Sequence, residues 1–261
     1  MHSLSSIPSC SFVDIHSHVL YGLDDGAKTL EESVAMLEMA ADGGTTDIVA
    51  TPHSDLTYRF QPELVDERVR ELNAALGGRI QIHRGCDFHL HFDNIQDALA
   101  NPARYTINHK RYLLVEFADT QISRATEEVF GRMLRLDITP VITHPERNPL
   151  LQQRMETLGN WVRLGCLVQV TAQSFLDRFG KRARQAADAL VERRLVHFVA
   201  SDAHDTRDRT PVLGEAFAYV VERYGADKAK ALFSDYPRAT LTGQYLEVEE
   251  PVEVKKRRWL W

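Results

Sequence analysis

The first residues along the chain that could bind a metal ion are two histidines and an aspartate near the N-terminus. His16 and His18 follow a short, mostly apolar stretch at residues 12–15, and Asp25 lies seven residues after His18. Residues two apart in an extended strand point to the same face, so this strand would present both imidazoles together. Neutral imidazoles suit Zn, Mn and Fe, and the carboxylate could ligate a neighbouring ion. Taken alone, the stretch is also compatible with an ordinary polar strand end.

The rest of the chain alternates between strand-like and helix-like segments. Apolar runs rich in Val and Ile predict strands at residues 12–15, 46–51, 79–84, 111–117, 138–143, 166–171 and 195–200. The spacing of apolar residues predicts helices at 30–42, 62–76, 124–136, 149–164 and 181–193, and helical structure over 211–243. This alternation, without a break in composition, predicts a single α/β domain over residues 1–261, with a core at about 12–243 and a tail at 244–261.

Ionisable residues that can ligate metals fall at or just after the C-terminal ends of these strands. Besides His16 and His18, they are His53, Asp87, Glu116, His144, Asp202 and His204. In a parallel barrel these strand ends converge on one face, where active sites are built, and scattered structural histidines would not sort in this way. We therefore expect a TIM-like barrel. An open doubly wound sheet is the alternative, but no Gly-rich phosphate loop follows the first strand.

Composition and charge limit the classes of function. The net charge of −6, from 31 basic and 37 acidic residues, argues against nucleic-acid binding, because a phosphate backbone requires a basic face. No apolar run approaches the ~20 residues that span a bilayer, and residues 1–11 lack the features of a secretory signal, so we expect a cytoplasmic protein. The basic segment 255–261 is expected to be a solvated terminus, with a peripheral contact to an anionic membrane as the alternative.

The candidate ligands favour hydrolysis of phosphate monoesters. Clustered His and carboxylate ligands without thiolates favour Mn, Fe or Zn in an open catalytic site. Adjacent ions lower the pKa of a bridging water and neutralise charge on a phosphoryl group. A cysteine-dependent phosphatase is excluded, because none of Cys10, Cys86 and Cys166 is followed by Arg six residues later. The odd number and wide spacing of these cysteines predict free thiols.

The chain resembles the PHP phosphoesterases (polymerase and histidinol phosphatase superfamily). More narrowly, it resembles the bacterial manganese-dependent protein-tyrosine phosphatases that regulate capsule and exopolysaccharide synthesis. The resemblance is carried by Asp-Ile-His-Ser-His at 14–18, Asp-Asp-Gly at 24–26, Thr-Pro-His at 51–53, Leu-Val-Glu-Phe at 114–117, Thr-Pro-Val-Ile-Thr-His-Pro-Glu-Arg at 139–147 and Ala-Ser-Asp-Ala-His at 200–204, followed by Arg209. It spans residues 12–243 and implies a distorted TIM-like (β/α)7 barrel of PHP type.

The resemblance also implies a site, a cofactor and a partner. The metal ligands would be His16, His18, Asp25, His53, Asp87, Glu116, His144, Asp202 and His204, holding two or three divalent ions, with Mn first and Fe or Zn as alternatives. Glu116 and residue 87 would bridge the ions, and Arg147 and Arg209 would bind the phosphoryl group. The substrate would be the phosphotyrosine tail of a membrane-associated bacterial tyrosine kinase. A small-molecule phosphatase acting on histidinol phosphate or nucleotides and a non-catalytic metal-binding module stay open as alternatives.

Residue 87 departs from the family pattern, which usually has Glu at this position. Asp87 is shorter by one methylene, so we expect weaker bridging and a lower occupancy of one ion. His89 and His91 share the side of Asp87 on an extended strand and are expected to lie at the surface or behind the ligands, with an extra ligand as the alternative. Aromatic residues expected near the mouth of the site, either to stack on a leaving group or to cover the core, are Tyr21, Tyr58, Phe60, Phe88, Phe117 and Phe175.

Overall fold

The computed structural model describes residues 11–252 and shows parallel strands surrounded by helices. The strands are β1 Phe12–Ser17, β2 Thr45–Ala50, β3 His53–Ser54, β4 Gln81–Arg84, β5 Asp87–His89, β6 Tyr112–Glu116, β7 Thr139–Thr143, β8 Leu167–Thr171 and β9 Phe198–Ala200. They pair in the orders β1-β2-β4 and β3-β5-β6-β7-β8-β9, and each ladder is parallel. The predicted α/β class is confirmed.

Two short strands, β3 and β5, lie just beyond the strand ends predicted at residues 51 and 84. Two residues separate β2 from β3, and two separate β4 from β5. Backbone hydrogen bonds continue across both gaps, because Gly85 N donates to Ala50 O at 2.8 Å and Asp87 N donates to Pro52 O at 3.1 Å. β3 therefore continues the course of β2, and β5 continues that of β4. The described strands thus follow seven paths in the predicted chain order.

The first and last strands meet at their C-terminal ends. His16 O accepts a hydrogen bond from Asp202 N at 2.8 Å, and His18 N donates to Ala203 O at 2.8 Å. Ser17 also forms an isolated parallel bridge with Ala203. These single contacts take the place of a regular ladder at the seam. The predicted TIM-like (β/α)7 barrel is confirmed in this distorted form.

An irregularity in β1 directs its histidines into the barrel. Ile15 belongs to the inner core, so strict alternation would turn His16 outward. The register of β1 against β2 shifts between Asp14 and Ser17, and a shift of this kind re-aims the side chains around it. His16 and His18 consequently lie together, with ring centroids 5.4 Å apart. The predicted common orientation of the two imidazoles is confirmed.

Apolar side chains fill the barrel interior below the strand ends. Leu114, Val141 and Phe198 are fully buried in this inner core. Residues on the opposite face of the same strands, such as Val115 and Ile142, belong to the larger core that includes the helices. The inner core is therefore a packed floor under the candidate ligands, as in other barrels of this type.

The helices within the described residues surround the strands. They are α1 Leu30–Asp42, α2 Pro62–Leu76, α3 Phe92–Ala100, α4 Thr126–Arg135, α5 Met155–Leu164, α6 Gly180–Glu192, α7 Gly214–Tyr224, α8 Ala226–Lys230 and α9 Tyr236–Thr242. Helices α1 and α2 match their predicted bounds, and Gly77 ends α2 with a φ of 58°. None of these helices combines the length and the apolar character needed to cross a membrane.

Helix α3 corrects the prediction for the segment after Asp87. The strand ends at His89, and His91 occupies the N-cap position of α3, so the expectation that His91 continues an extended strand is wrong. The sequence analysis missed this helix, although Phe92, Ile95 and Leu99 have helical spacing. The turn between strand and helix is closed by a hydrogen bond from His91 N to His89 O at 2.9 Å.

Helix α5 begins at Met155 instead of residue 149. Asn148 Oδ1 accepts hydrogen bonds from the backbone N of Leu150 and Leu151, each at 3.0 Å. An Asn side chain that bonds the following backbone in this way stabilises a turn in competition with a helix. The basic segment 255–261 lies outside the described residues, so its contact with a membrane stays a prediction.

We expect Leu114→Ala to destabilise the protein by about 2–5 kcal/mol, because the substitution removes a fully buried side chain from the inner core. Leu136→Ala is the matched control, since Leu136 is 49% exposed, and surface changes cost about 0.5 kcal/mol or less. Urea denaturation followed by circular dichroism measures both. Equal losses in the two variants would contradict the assignment of Leu114 to the core.

Candidate metal centre

The predicted metal ligands converge at the C-terminal ends of the strands. Potential ligand atoms that lie within 4.8 Å of one another form three groups: His18, Asp25, His53 and His204; His16, His18 and Asp87; and His53, Asp87 and Glu116. The groups overlap, because His18, His53 and Asp87 each belong to two of them. Because the groups share members, they are neighbouring parts of one centre. Adjacent ions that share ligands would need such an arrangement.

Asp87 lies at the middle of this centre. Its Oδ2 atom is 3.4 Å from His16 Nε2 and 3.2 Å from His53 Nδ1. The His53 ring extends the centre in both directions, because its Nδ1 is 3.5 Å from Glu116 Oε2 and its Nε2 is 3.4 Å from Asp25 Oδ1. Asp87 therefore lies between two of the groups and belongs to both, while its bridging role stays a prediction.

The two remaining predicted ligands lie at the edge of the groups. Asp202 Oδ1 is 3.4 Å from His18 Nε2 and 3.5 Å from His16 Nε2. His144 Nε2 is 3.6 Å from Glu116 Oε1. The whole predicted ligand set is thus brought into one cluster, while the binding of metal by each residue stays a prediction.

Several buried polar atoms of the cluster lack a hydrogen-bond partner within the described residues. They include Asp87 Oδ2 and His53 Nδ1, which form only ion pairs, including one with each other at 3.2 Å, and Asp87 Oδ1, which has neither a hydrogen bond nor an ion pair there. A buried polar atom left unpaired costs about 1–3 kcal/mol, so such atoms are rare unless something else binds them. Nitrogen and oxygen donors without a thiolate suit Mn, Fe or Zn. The residues present therefore fit a cluster of divalent ions.

Burial keeps two of the candidate ligands in the neutral imidazole form. It lowers the pKa of His144 to about 3, and the nearby Arg147 guanidinium acts in the same direction. Burial also lowers the pKa of His204 to about 4, with a further contribution from His18. Both rings are therefore neutral near pH 7, which is the form that binds a metal ion.

The carboxylates Asp87 and Glu116 differ in charge although they are close together. Burial opposes the ionised form of Asp87, but His16 and His53 hold its pKa well below the usual value. Burial raises the pKa of Glu116 to about 8, and the Asp87 carboxylate adds to this effect. A cation between the two would favour the ionised form of both.

Side chains behind the candidate ligands orient them. Gln169 Oε1 lies 3.0 Å from His16 Nδ1, and Asp24 Oδ2 lies 2.7 Å from His18 Nδ1. Each contact holds a proton at Nδ1 and leaves Nε2 for the cluster, a common arrangement around metal-binding histidines. The sequence analysis missed both residues. Gln169 carries no local signal inside β8, whereas the position of Asp24 next to Asp25 was a signal.

Glu146 secures the loop after β7, and its role was also missed. Its buried carboxylate accepts hydrogen bonds from Thr171 N at 3.0 Å and Ser174 Oγ at 2.7 Å. Burial raises its pKa to about 7. These bonds tie the loop that carries His144 and Arg147 to the end of β8. The His-Pro-Glu-Arg run at 144–147 was the only signal for this residue in the sequence.

The two arginines predicted to bind phosphate lie beside the cluster. Arg209 Nη2 donates to Asp202 Oδ2 at 2.6 Å, and Arg147 Nη1 forms an ion pair with the same oxygen. The other oxygen of Asp202 faces His16 and His18. Asp202 thus stands between the arginines and the histidines, so positive charge borders the cluster. The binding of phosphate by these arginines stays a prediction.

An open cavity of about 420 Å³ lies over the cluster. Its walls include five residues of the predicted site, namely Asp25, His53, Glu116, His144 and Arg147. His89 also lines the cavity, although it joins none of the groups that could hold an ion. A substrate that enters this cavity would therefore meet candidate ligands and one of the two arginines.

The predicted aromatic mouth is present only in part. Tyr58 and Phe117 line the cavity, and the Tyr58 ring stacks on His53 with centroids 6.0 Å apart. The prediction is wrong for the other aromatic residues, none of which lines the cavity. The alternative, that such residues cover the core, is correct for the buried Phe60, Phe88 and Phe175. It also holds for the partly buried Tyr21, whose hydroxyl donates a hydrogen bond to Glu71.

We expect Asp24→Ala to weaken Mn²⁺ binding by about 10–100-fold, because His18 would lose the partner that holds its ring. Asp42→Ala is the matched control, since Asp42 is exposed at the end of α1. Calorimetric titration of each metal-free variant with Mn²⁺ gives the affinity, and circular dichroism checks the fold. An Asp24→Ala protein that binds Mn²⁺ as tightly as the control would exclude this role.

Residues 12–242 match the family described as capsular polysaccharide synthesis, CpsB/CapC. The putative tyrosine-protein phosphatase CapC of Staphylococcus aureus is 31% identical over 95% of this chain and 98% of its own length. A similar solved chain comes from the crystal structures of YwqE from Bacillus subtilis and CpsB from Streptococcus pneumoniae, described as unique metal-dependent tyrosine phosphatases. It is 30% identical, with a TM-score of 0.86 over 94% of this chain and 100% of that chain.

A more distant solved structure shares the fold alone. It is a histidinol phosphate phosphatase from Lactococcus lactis, 13% identical, with a TM-score of 0.53 over 86% of this chain and 99% of that chain. The family match, in contrast, covers most of the sequence, from the first residue of β1 to the last residue of α9. The chain therefore belongs to the CpsB/CapC family of capsular polysaccharide synthesis proteins.

Proposed function

We propose that this chain is a metal-dependent phosphatase that removes the phosphoryl group from phosphotyrosine in a protein substrate. The observation that carries the proposal is the convergence of imidazoles, carboxylates and two arginines beside one open cavity. The names of its relatives support it, because CapC is a putative tyrosine-protein phosphatase and YwqE and CpsB are described as metal-dependent tyrosine phosphatases.

The proposed ligands are the residues gathered at the strand ends: His16, His18, Asp25, His53, Asp87, Glu116, His144, Asp202 and His204. We propose two or three Mn ions, with Fe or Zn as alternatives, because the donor set suits all three metals. Bound there, the ions would supply Lewis-acid activation of a water and neutralise charge on the phosphoryl group. The protein would prepare the site by keeping the His144 and His204 rings neutral and the Asp87 carboxylate ionised.

Arg147 and Arg209 would bind and orient the phosphoryl group. Each contacts Asp202 Oδ2 through one nitrogen and keeps other N–H groups for oxygens of the substrate. Guanidinium groups pair well with phosphoryl oxygens because two parallel N–H donors can bind at once. The Phe179 ring, with its centroid 4.2 Å from the central carbon of the Arg147 guanidinium, supports this side chain from one face.

The chemistry of the leaving group favours phosphotyrosine over phosphoserine. A phenol has a pKa of about 10, several units below that of an alkyl alcohol, so a phenolate can leave without first receiving a proton. As proposed ligands, the wall residues Glu116 and His144 would be engaged by the ions and would not supply a proton to the leaving group. Tyr58 and Phe117 offer aromatic faces to the ring of the substrate.

We further propose that the substrate is the phosphotyrosine tail of a membrane-associated bacterial tyrosine kinase, dephosphorylated in the cytoplasm during capsule or exopolysaccharide synthesis. The family description, capsular polysaccharide synthesis, and the name of the CapC relative support this partner. A contact between the basic segment 255–261 and the membrane would bring the enzyme close to such a kinase. The net charge of −6 argues against a nucleic-acid substrate.

A comparison of substrates tests the proposed function. With Mn²⁺ added, kcat/KM for a phosphotyrosine peptide should exceed that for a phosphoserine peptide or histidinol phosphate by at least ~10-fold, or ~1.4 kcal/mol in transition-state binding. A chelator should abolish the activity, and Mn²⁺ should restore it. Preference for histidinol phosphate would favour the small-molecule alternative. Binding of Mn²⁺ without hydrolysis of any of the three would favour the non-catalytic module.

We expect Arg147→Ala and Arg209→Ala each to lower kcat/KM by about 100-fold or more, the scale on which loss of a charge-stabilising donor acts. The metal content should stay unchanged, because the arginines contact Asp202 through Oδ2 while Oδ1 faces the histidines. Arg163→Ala, at an exposed position on α5, is the control. Loss of metal together with activity would show that the arginines hold Asp202 in place instead of binding phosphate.

A further inference from the structure

A second, largely apolar groove lies beside the cavity over the metal centre. It has a volume of about 540 Å³, within the range of about 300–1,000 Å³ that is typical of ligand pockets. Its apolar walls are formed by Leu56, Leu90, Phe92, Ile95, Phe117 and Val129. These residues place the groove between α3, the loop after β6 and the first turns of α4.

The groove is continuous with the cavity over the metal centre. His89, Phe117 and Ala118 line both spaces. Phe117 is firmly packed, because its ring stacks on Trp161 with centroids 5.5 Å apart and planes within 5° of each other. Phe117 also directly follows Glu116, one of the proposed ligands. A phosphoryl group over the cluster would therefore have its neighbouring substrate residues at this groove.

Two large apolar side chains of the groove are left open to solvent. Leu56 is 86% exposed and Phe92 is 73% exposed. Leu56 lies in a tight turn, in which Asp55 Oδ1 accepts hydrogen bonds from the backbone N of Thr57 and Tyr58, each at 2.6 Å. A single exposed apolar residue needs no explanation, whereas exposed apolar residues grouped at a groove mark a binding surface.

We propose that this groove binds apolar residues that flank the phosphorylated tyrosine in the protein substrate. The inference rests on the proposed function and adds a sequence preference to it. An extended peptide advances about 3.3 Å per residue, so residues two or three places from the phosphotyrosine would reach a groove that shares a wall with the cavity. Thr120, Gln121 and Ser123 also line the groove, and their polar side chains can bond the peptide backbone.

Two phosphotyrosine peptides test this preference. One carries Leu at the second and third positions on both sides of the phosphotyrosine, and the other carries Ser there. The full-length protein with Mn²⁺ should show a kcat/KM at least ~10-fold higher for the Leu peptide, mainly through KM, since small differences in apolar contact are worth ~10–200-fold. Leu56→Ser and Phe92→Ser should each reduce this ratio to about 3-fold or less.

Leu136→Ser is the matched control, because Leu136 is an exposed leucine that does not line the groove, and it should keep the wild-type ratio. Hydrolysis of p-nitrophenyl phosphate serves as a second control, since this small ester reaches the cavity alone. Its rate should change by less than about 2-fold in the groove variants, because Leu56 and Phe92 do not line that cavity. Circular dichroism confirms that each variant is folded.

The outcomes separate the groove from the proposed function. Equal kcat/KM values for the two peptides, or an unchanged ratio in both groove variants, would overturn the groove proposal and leave phosphotyrosine hydrolysis in place. Hydrolysis of p-nitrophenyl phosphate without hydrolysis of either peptide would overturn both. A change in the molecular mass of the variants in solution, with an unchanged peptide ratio, would identify the groove as a contact between copies of the chain and also overturn the proposal.

Discussion

The burial of opposite charges at one end of the barrel is the constraint on which the remaining structure depends. An ionised group removed from water costs several kcal/mol unless a partner compensates for the lost hydration. Asp87 is fully buried between His16 and His53, and Asp202 lies between His18 and the two arginines. Each buried charge is stabilised by the opposite charge beside it. The burial of each charge therefore depends on its neighbours, and the loops that carry these residues must be held accurately.

The residues that join the first strand of the barrel to the segment after the last strand also form the candidate site. His16 O and His18 N make the backbone bonds between β1 and the segment after β9, while the side chains of His16, His18 and Asp202 belong to the candidate metal centre. Asp14 supports this seam, because its carboxylate accepts a hydrogen bond from Ser201 N at 3.0 Å. A displacement of the seam would move these side chains. The least regular part of the barrel therefore carries the candidate ligands, as expected where a site imposes demands beyond local structure.

Much of the fold and of the candidate site was predictable because the signals are local. Apolar runs mark the strands, and an ionisable residue such as Glu116 stands at the strand end. Gly77 marks the end of α2 without reference to distant contacts. The remainder depends on contacts between distant segments. Gln169 is an unremarkable polar residue within β8 until folding places it 3.0 Å from His16. Helix α3 was missed although Phe92, Ile95 and Leu99 have helical spacing, because its nine residues are fewer than periodicity needs to distinguish a helix.

Residue 87 shows why a change of residue type cannot be judged apart from the backbone. A carboxylate shortened by one methylene bridges poorly only if its Cα stays at the same distance from its neighbours. In this protein β3 pairs with β5 so that His53 is directly opposite Asp87. Asp87 Oδ2 thereby reaches within 3.4 Å of His16 Nε2 and 3.2 Å of His53 Nδ1. The register of two very short strands, which sequence patterns specify poorly, decides whether the missing methylene weakens the centre.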